Sequence, residues 1–235
     1  MQIRCGDSRG SGFHLFRTDL VVTNHHVVGP MAQVRNAVSA RTEKGAEMAL
    51  EYVAHSDPAE HDYAIYRLMN DAPGDRIALV PAGDAVRPRG CKVLFAGFPH
   101  GVEDLLAQQA TVAGPLENGG FYMDGSINGG NSGGPILDLE TGEVVGIVTQ
   151  RRFLFAPELA QMAKQARELE DYCNGIAKQG SVVLMGMDFS QVIRMIAASN
   201  QLIRRVIEVN ANSGIGIGYS IRHVVDRLAG LGLAT

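Results

Sequence analysis

Residues 12–28, "GFHLFRTDLVVTNHHVV", set short apolar runs on either side of a polar turn at Arg17-Thr18-Asp19. The second run, "LVVT", is rich in β-branched residues, so the segment predicts a hairpin. Further strands are predicted at "AEMALEYVAH", "YAIYRL", "CKVLFAG", "ATVAG", "GPILDL" and "GEVVGIVTQ", each bounded by Gly, Pro, Asp or Asn. The last two flank Glu140-Thr141-Gly142 and read as a hairpin closed by a glycine turn. Many short strands separated by turns predict an antiparallel sandwich or barrel up to about residue 150. After that the period changes. Leu159, Met162, Ala163, Ala166, Leu169 and Cys173 recur at spacings of three and four, with Pro157 suited to a first helical turn. A second helical run carries Phe189, Val192, Ile193, Ile196, Leu202, Ile203, Val206 and Ile207. "GIGIGYSI" returns to strand, and residues 221–231 predict a closing amphipathic helix.

Composition narrows the class. Of 235 residues, 46% are hydrophobic and 20% charged, which suits a folded chain able to bury a core. A net charge of −4 gives no footprint for nucleic acid or an anionic membrane surface, so neither is an expected partner. The doublets Arg151-Arg152 and Arg204-Arg205 are local and read as solvated. Cys5, Cys91 and Cys173 are too few and too scattered for a disulfide framework, and they lack metal-ligand spacing. No cofactor or metal is expected. The three thiols suit a reducing compartment, and "MQIRCGDSRG" holds no apolar run of leader length. The expectation is therefore a cytoplasmic protein.

Candidate chemistry centres on "NGGNSGGP", where Ser132 stands among four glycines. Gly130-Asn131-Ser132-Gly133-Gly134 fits the G-x-S-x-G elbow of α/β-hydrolases, which requires a helix after the serine. Here Pro135 and a hairpin follow, so the elbow reading fails. Upstream, His26 ends an apolar strand in "TNHHVV" and Asp62 opens an apolar run in "HDYAIYRL". A serine hydroxyl needs a histidine to take its proton and a buried carboxylate to fix that histidine's tautomer. His25 is the rival for the base, and Asp57, before Pro58, the rival for the acid. The glycines before Ser132 allow the N–H groups of Gly130 and Ser132 to aim at one point, as an oxyanion hole does.

Five segments, "GSGFHLF" leading to "VVTNHHVV", then "HDYAIYRL", "LFAGFPHG", "MDGSINGGNSGGPILDLETGEVVGIVTQ" and, more weakly, "GIGIGYSIRHVVDRL", occur in the order found in trypsin-like (chymotrypsin-fold) serine proteases. The chain resembles the HtrA/Deg branch of that family. The resemblance implies a mostly β fold of two antiparallel six-stranded-type barrels. It also implies a serine endopeptidase with His26 as base, Asp62 as orienting acid and Ser132 as nucleophile, cleaving peptide bonds through an acyl-enzyme. Gly130 and Ser132 would donate the oxyanion-hole N–H groups, and Thr149, Gln150 and Arg151 would pair with an extended protein or peptide substrate. Ser126, at the position of the pocket base, carries no acid and so gives no support for a Lys or Arg preference.

The whole chain is expected to be one peptidase domain. Its first barrel would span about 1–75 and its second about 76–151 and 213–222, with a helical insertion at 152–212 and a helix at 221–231. Asn131 replaces the acidic residue that engages a freed N-terminus in zymogen-derived relatives, so activation by such cleavage is not expected. The PDZ domain usual in HtrA proteins is not expected here. The insertion stands where the family has a short specificity loop; it is either a decoration or a regulatory element that gates the cleft or docks a partner protein. The alternative function is a binding module of protease fold, inactive until a partner forms the oxyanion hole. An esterase using the same three residues is a third reading.

Overall fold

The structure is a computed structural model. It describes residues 1–69, 76–83, 87–99, 102–153, 157–178, 180, 183–184, 187–210 and 212–234, and the side chains of these apart from 150–153, 157–160, 184, 187, 205, 207–210 and 212–213. In chain order the first elements are β1 (Gln2–Cys5), β2 (Ser8–Ser11), β3 (Phe13–His14), β4 (Leu20–Thr23), the one-turn helix α1 (His25–Val28), β5 (Val38–Arg41), β6 (Glu47–His55) and β7 (Ala64–Leu68). They form an antiparallel sheet of seven strands in the order β2-β1-β5-β6-β7-β4-β3. β8 (Lys92–Gly97), β9 (Leu106–Pro115), β10 (Gly120–Asp124), β11 (Pro135–Asp138) and β12 (Val144–Phe153) follow. Next come α2 (Pro157–Ala177), β13 (Val183–Leu184), β14 (Met187–Asp188), α3 (Phe189–Asn210), β15 (Asn212–Ser220) and α4 (Arg222–Gly230). The second sheet closes on itself as a six-stranded barrel, β10-β15-β12-β11-β8-β9.

The alternation that predicted these strands is what fills the cores. In β8, Val93, Phe95 and Gly97 turn inward while Lys92, Leu94 and Ala96 are less buried. Ile3, Val21, Ala40, Met48 and Tyr66 fill the inside of the first sheet, and Val93, Phe95, Met123 and Ile136 the inside of the barrel. A third cluster binds the two together. It joins Phe13, Leu20, Val22 and Ile65 of the sheet to Val144 and Ile147 of β12 and to Val224 and Leu228 of α4. Each such aliphatic side chain contributes roughly 1.5–3 kcal/mol on burial. This shared core sets the ends of β4 and β7 against the loop that precedes β11.

Six strands lie outside the predicted set: "QIRC", "SRGS", "VSAR", "GFYMD" and the two-residue β13 and β14. The first three carry polar residues at alternate or consecutive positions and draw their stability from pairing rather than from an apolar run. The first sheet has seven strands where six were expected, because β3 is a two-residue strand set off from β2.

Residues 153–213 form a second compact unit. Within it, α2 and α3 pack along a seam that buries Ala166, Cys173 and Ala197, and Arg204 pairs with Glu170 at 3.4 Å. Met162, Tyr172, Met195, Leu202 and Val206 remain at least half exposed. Among the described residues no helix is long and apolar enough to cross a membrane.

Candidate active site

α1 begins where β4 ends: Asn24, itself still extended at φ −84° and ψ 149°, stands before the first helical residue and anchors the turn. Its side-chain amide donates to the carbonyl of Asp62 at 2.7 Å, and the N–H of His25 donates to the same oxygen at 3.3 Å. Asp62 closes the loop between β6 and β7 with a positive φ of 48°. Asp57 builds that loop: its carbonyl accepts the N–H groups of Glu60, His61 and Asp62, and its carboxylate that of Ala59. It faces its own turn, whereas the carboxylate of Asp62 faces His26.

Asp62 is fully buried, and three donors converge on its carboxylate. The His26 N–H donates to Oδ1 at 2.9 Å, and His26 Nδ1 lies 2.6 Å from Oδ2. The third donor is the hydroxyl of Thr149, also to Oδ2. A carboxylate accepts at both oxygens, so Nδ1 carries the hydrogen and Nε2 presents its lone pair. The His26 side chain is 35% exposed and Asp62 is 0% exposed, so the pair is solvated at the imidazole end only. His25 faces elsewhere, stacked on His55 at 4.3 Å, and burial pushes its pKa below the usual value, with His55 adding to the shift.

Ser132 is half-buried in the turn before β11 and donates its hydroxyl to the carbonyl of Thr149 at 3.1 Å. Thr149 thus bonds the carboxylate of Asp62 through its side chain and the hydroxyl of Ser132 through its backbone. The turn is pinned on every side. Asn131 N–H donates to Asn128, Gly133 N–H to Val148 and Gly134 N–H to Asn131. The N–H groups of Gly130 and Ser132 donate to no described residue. Gly130 has φ 94° and Gly133 φ 86°. A Cβ on Gly133 would run into the carbonyl oxygen of Ser11 and the hydroxyl of Thr23, so no other residue fits there.

The remaining predicted residues divide. Thr149 is buried and its side chain goes to Asp62 rather than outward. Ser126 is exposed after β10, its carbonyl accepting from Asn128 at 3.2 Å. Gln150 and Arg151 extend β12, and their side chains lie outside the described ones. Behind the Ser132 turn lies an apolar cavity of about 260 Å³ whose lining includes Ser11, Phe13, Leu79, Phe98 and Pro135. Two contributors left no signal in the sequence reading: the Thr149 hydroxyl and Ser11, which donates its N–H to Ser132 O at 2.7 Å.

An open sheet and a closed barrel sharing one core, with these groups where they meet, make the fold that of the trypsin-like proteases. The family model described as "Trypsin-like peptidase domain" matches residues 10–147, more than half of the chain. The chain belongs to that family of serine proteases, and its relatives are of the HtrA/Deg kind. It is 30% identical over 209 residues to "Probable periplasmic serine endoprotease DegP-like" of Brucella suis, covering 82% of this chain and 38% of that protein. It is 27% identical to "Protease Do-like 1, chloroplastic" of Arabidopsis thaliana, covering 83% and 46%. The chain therefore spans less than half the length of these relatives. The active form of the Rv3671c protease from M. tuberculosis superposes with a TM-score of 0.52 at 26% identity, covering 66% of this chain and 71% of that one. The serine endoprotease from Yersinia pestis gives 0.54 at 21% identity over 64% and 53%, a likeness of fold.

The cytoplasmic expectation is corrected here: the Brucella and Pseudomonas putida relatives are named periplasmic. Unpaired cysteines, with the lack of a leader-like apolar run in "MQIRCGDSRG", carried that expectation, and the cysteines do not discriminate. Cys5 and Cys173 are buried and pack as small apolar side chains, which is possible in either compartment.

Proposed function

We propose that the chain is a serine endopeptidase in which Ser132 attacks the peptide carbonyl, His26 takes its proton and Asp62 holds His26. The observation that carries this reading is the unbroken run of hydrogen bonds from His26 through Asp62 and Thr149 to Ser132. Attack needs the Ser132 hydroxyl to exchange Thr149 O for His26 Nε2. That exchange frees the Thr149 carbonyl to accept a substrate N–H, in keeping with substrate pairing along Thr149, Gln150 and Arg151. As the oxygen of the tetrahedral intermediate gains charge, the N–H groups of Gly130 and Ser132 would receive it. His26 then returns its proton to the leaving amine, and water repeats the sequence on the acyl-enzyme. Because the carboxylate of Asp62 accepts Nδ1–H, it favours the imidazolium without itself taking the proton.

Ser126 brings no charge, which supports cleavage beside apolar rather than basic residues. The names of the relatives support a place of work in the periplasm. The insertion, 152–212, is proposed to regulate the site or to dock a partner protein. Support comes from Met162, Tyr172, Met195 and Leu202, apolar side chains that the helical pair leaves in solvent. Replacing 154–211 by a glycine-serine linker should change peptidase rate; an unchanged rate and unchanged substrate range would reject a regulatory role.

Incubation with a mixed peptide library, read by mass spectrometry, tests the main reading. The wild type should generate defined new termini that Ser132→Ala and His26→Ala do not. The same termini at the same rate from Ser132→Ala would refute it.

A further inference from the structure

Ser11 ends β2, far from Ser132 in sequence, and is 1% exposed. Each of its polar groups has a partner. Its N–H donates to Ser132 O at 2.7 Å, and its hydroxyl donates to Gly130 O at 2.7 Å. The same hydroxyl accepts the N–H of Phe98 at 2.9 Å, and its carbonyl accepts the hydroxyl of Thr23 at 2.7 Å. One residue of the first sheet therefore grips two carbonyls of the nucleophile turn while itself tied to β4 and to the segment after β8.

The peptide planes show what this grip fixes. The carbonyl of residue i and the N–H of residue i+1 share a plane. The 130–131 plane is held at one end by the Ser11 hydroxyl and at the other by Asn131 N–H on Asn128 O at 3.1 Å. The 132–133 plane is held by Ser11 N–H and by Gly133 N–H on Val148 O at 2.8 Å. Between them, Asn131 O accepts Gly134 N–H at 2.9 Å, which orients the plane that carries the Ser132 N–H. Once the 130–131 plane is set, the direction of the Gly130 N–H depends on the φ and ψ of Gly130, with φ at 94° here. Glycine has no Cβ to bar other values of either angle, so the turn around it has to be held by neighbours. The Ser11 hydroxyl anchors Gly130 itself, at its carbonyl.

We infer that Ser11 is a positioning residue for the oxyanion hole: its hydroxyl, through Gly130 O, aims the Gly130 N–H at the developing oxyanion. The inference rests on the reading of Ser132 as nucleophile. Ser11 touches no reacting atom. It works through the turn, and its loss should raise the energy of the tetrahedral state while leaving ground-state substrate binding as it was.

The test compares wild type, Ser11→Ala, Ser11→Cys and Ser132→Ala on a peptide substrate cut by the wild type. A peptide aldehyde is measured alongside, since its hemiacetal oxygen occupies the hole. Removing a hole donor outright lowers kcat by about 10²–10³. A misaimed donor should cost less, so Ser11→Ala is expected to lower kcat by roughly 10- to 100-fold, with KM within twofold of wild type. Aldehyde affinity should fall by a factor similar to kcat. Ser11→Cys keeps a weak donor and should lie between the two; it carries the test if Ser11→Ala does not fold. An unchanged kcat in the folded variant would overturn the inference. So would a rise in KM that accounts for the loss, since that marks a general distortion of the cleft. Retained hydrolysis by Ser132→Ala would instead remove the reading on which the inference stands.

Discussion

Replacing Thr149 by Val isolates one bond of the site. Valine keeps the β-branched shape and the buried volume, so neither a cavity nor a change of strand preference confuses the result. It also leaves the Thr149 carbonyl, and hence its contact with Ser132, in place. What disappears is the hydroxyl on Oδ2 of Asp62, one of three donors to a carboxylate with no solvent access. A hydrogen bond to a charged group contributes about 1.5–3 kcal/mol. At about 1.4 kcal/mol per decade, loss of that support as His26 becomes positive lowers kcat by roughly 10- to 150-fold. The same loss lowers Tm, at about 2–4 °C per kcal/mol for a chain of this size. Steady-state kinetics on a peptide substrate, with calorimetry beside it, read both effects, and Thr149→Ser should restore most of kcat. A folded Thr149→Val enzyme with wild-type kcat would show that Asp62 is held without this hydroxyl and would refute the reasoning.

Asp62→Asn keeps the shape but offers its amide N–H toward His26, favouring the wrong tautomer; kcat should fall by about 10⁴-fold, measured with the same peptide. Gly133→Ala places a Cβ in a left-handed position that costs about 1–2 kcal/mol before any clash with Ser11 and Thr23 is counted, so Tm should drop by at least about 2–8 °C. Stability should also weaken toward acid. His14 is buried, its Nδ1–H donates to Leu20 O at 3.1 Å, and burial pushes its pKa below 6.5. A folded pKa below the unfolded one means the unfolded chain binds more protons. The contribution is therefore full above pH 6.5 and is lost as pH falls below it, at up to about 1.4 kcal/mol per pH unit. His25 and His223, both also shifted down by burial, act in the same direction. Urea denaturation at pH 7.5, 6.5 and 5.5 reads the slope, and equal midpoints would contradict it.

The amino-acid sequence carried the groups that meet at the site because each sits in a short stretch with its own local reason. His26 follows an apolar strand, Asp62 precedes one, and Ser132 lies among glycines. Period-2 and period-3.6 patterns carried the longer strands and both helices of 153–213. Long-range pairing left no comparable mark. "SRGS" is a polar stretch for which no strand was expected, yet its last residue holds Gly130 and Ser132. Thr149 reads as a residue of a substrate-facing strand, yet its hydroxyl reaches Asp62, 87 positions away in sequence. Such contacts are set by how the sheet and barrel dock, which alternation within one strand cannot encode. The compartment was misread for another reason: buried unpaired thiols satisfy packing and record nothing of the redox state around the protein.

The central claim is that Ser132 is an activated nucleophile, and covalent labelling tests it most directly. The protein and its Ser132→Ala variant are treated with a fluorophosphonate, and the adduct is located by peptide mass spectrometry. The account predicts one adduct, on Ser132, absent from the variant and slowed in His26→Ala. An equal adduct in the Ser132→Ala protein, or none in the folded wild type, would contradict it.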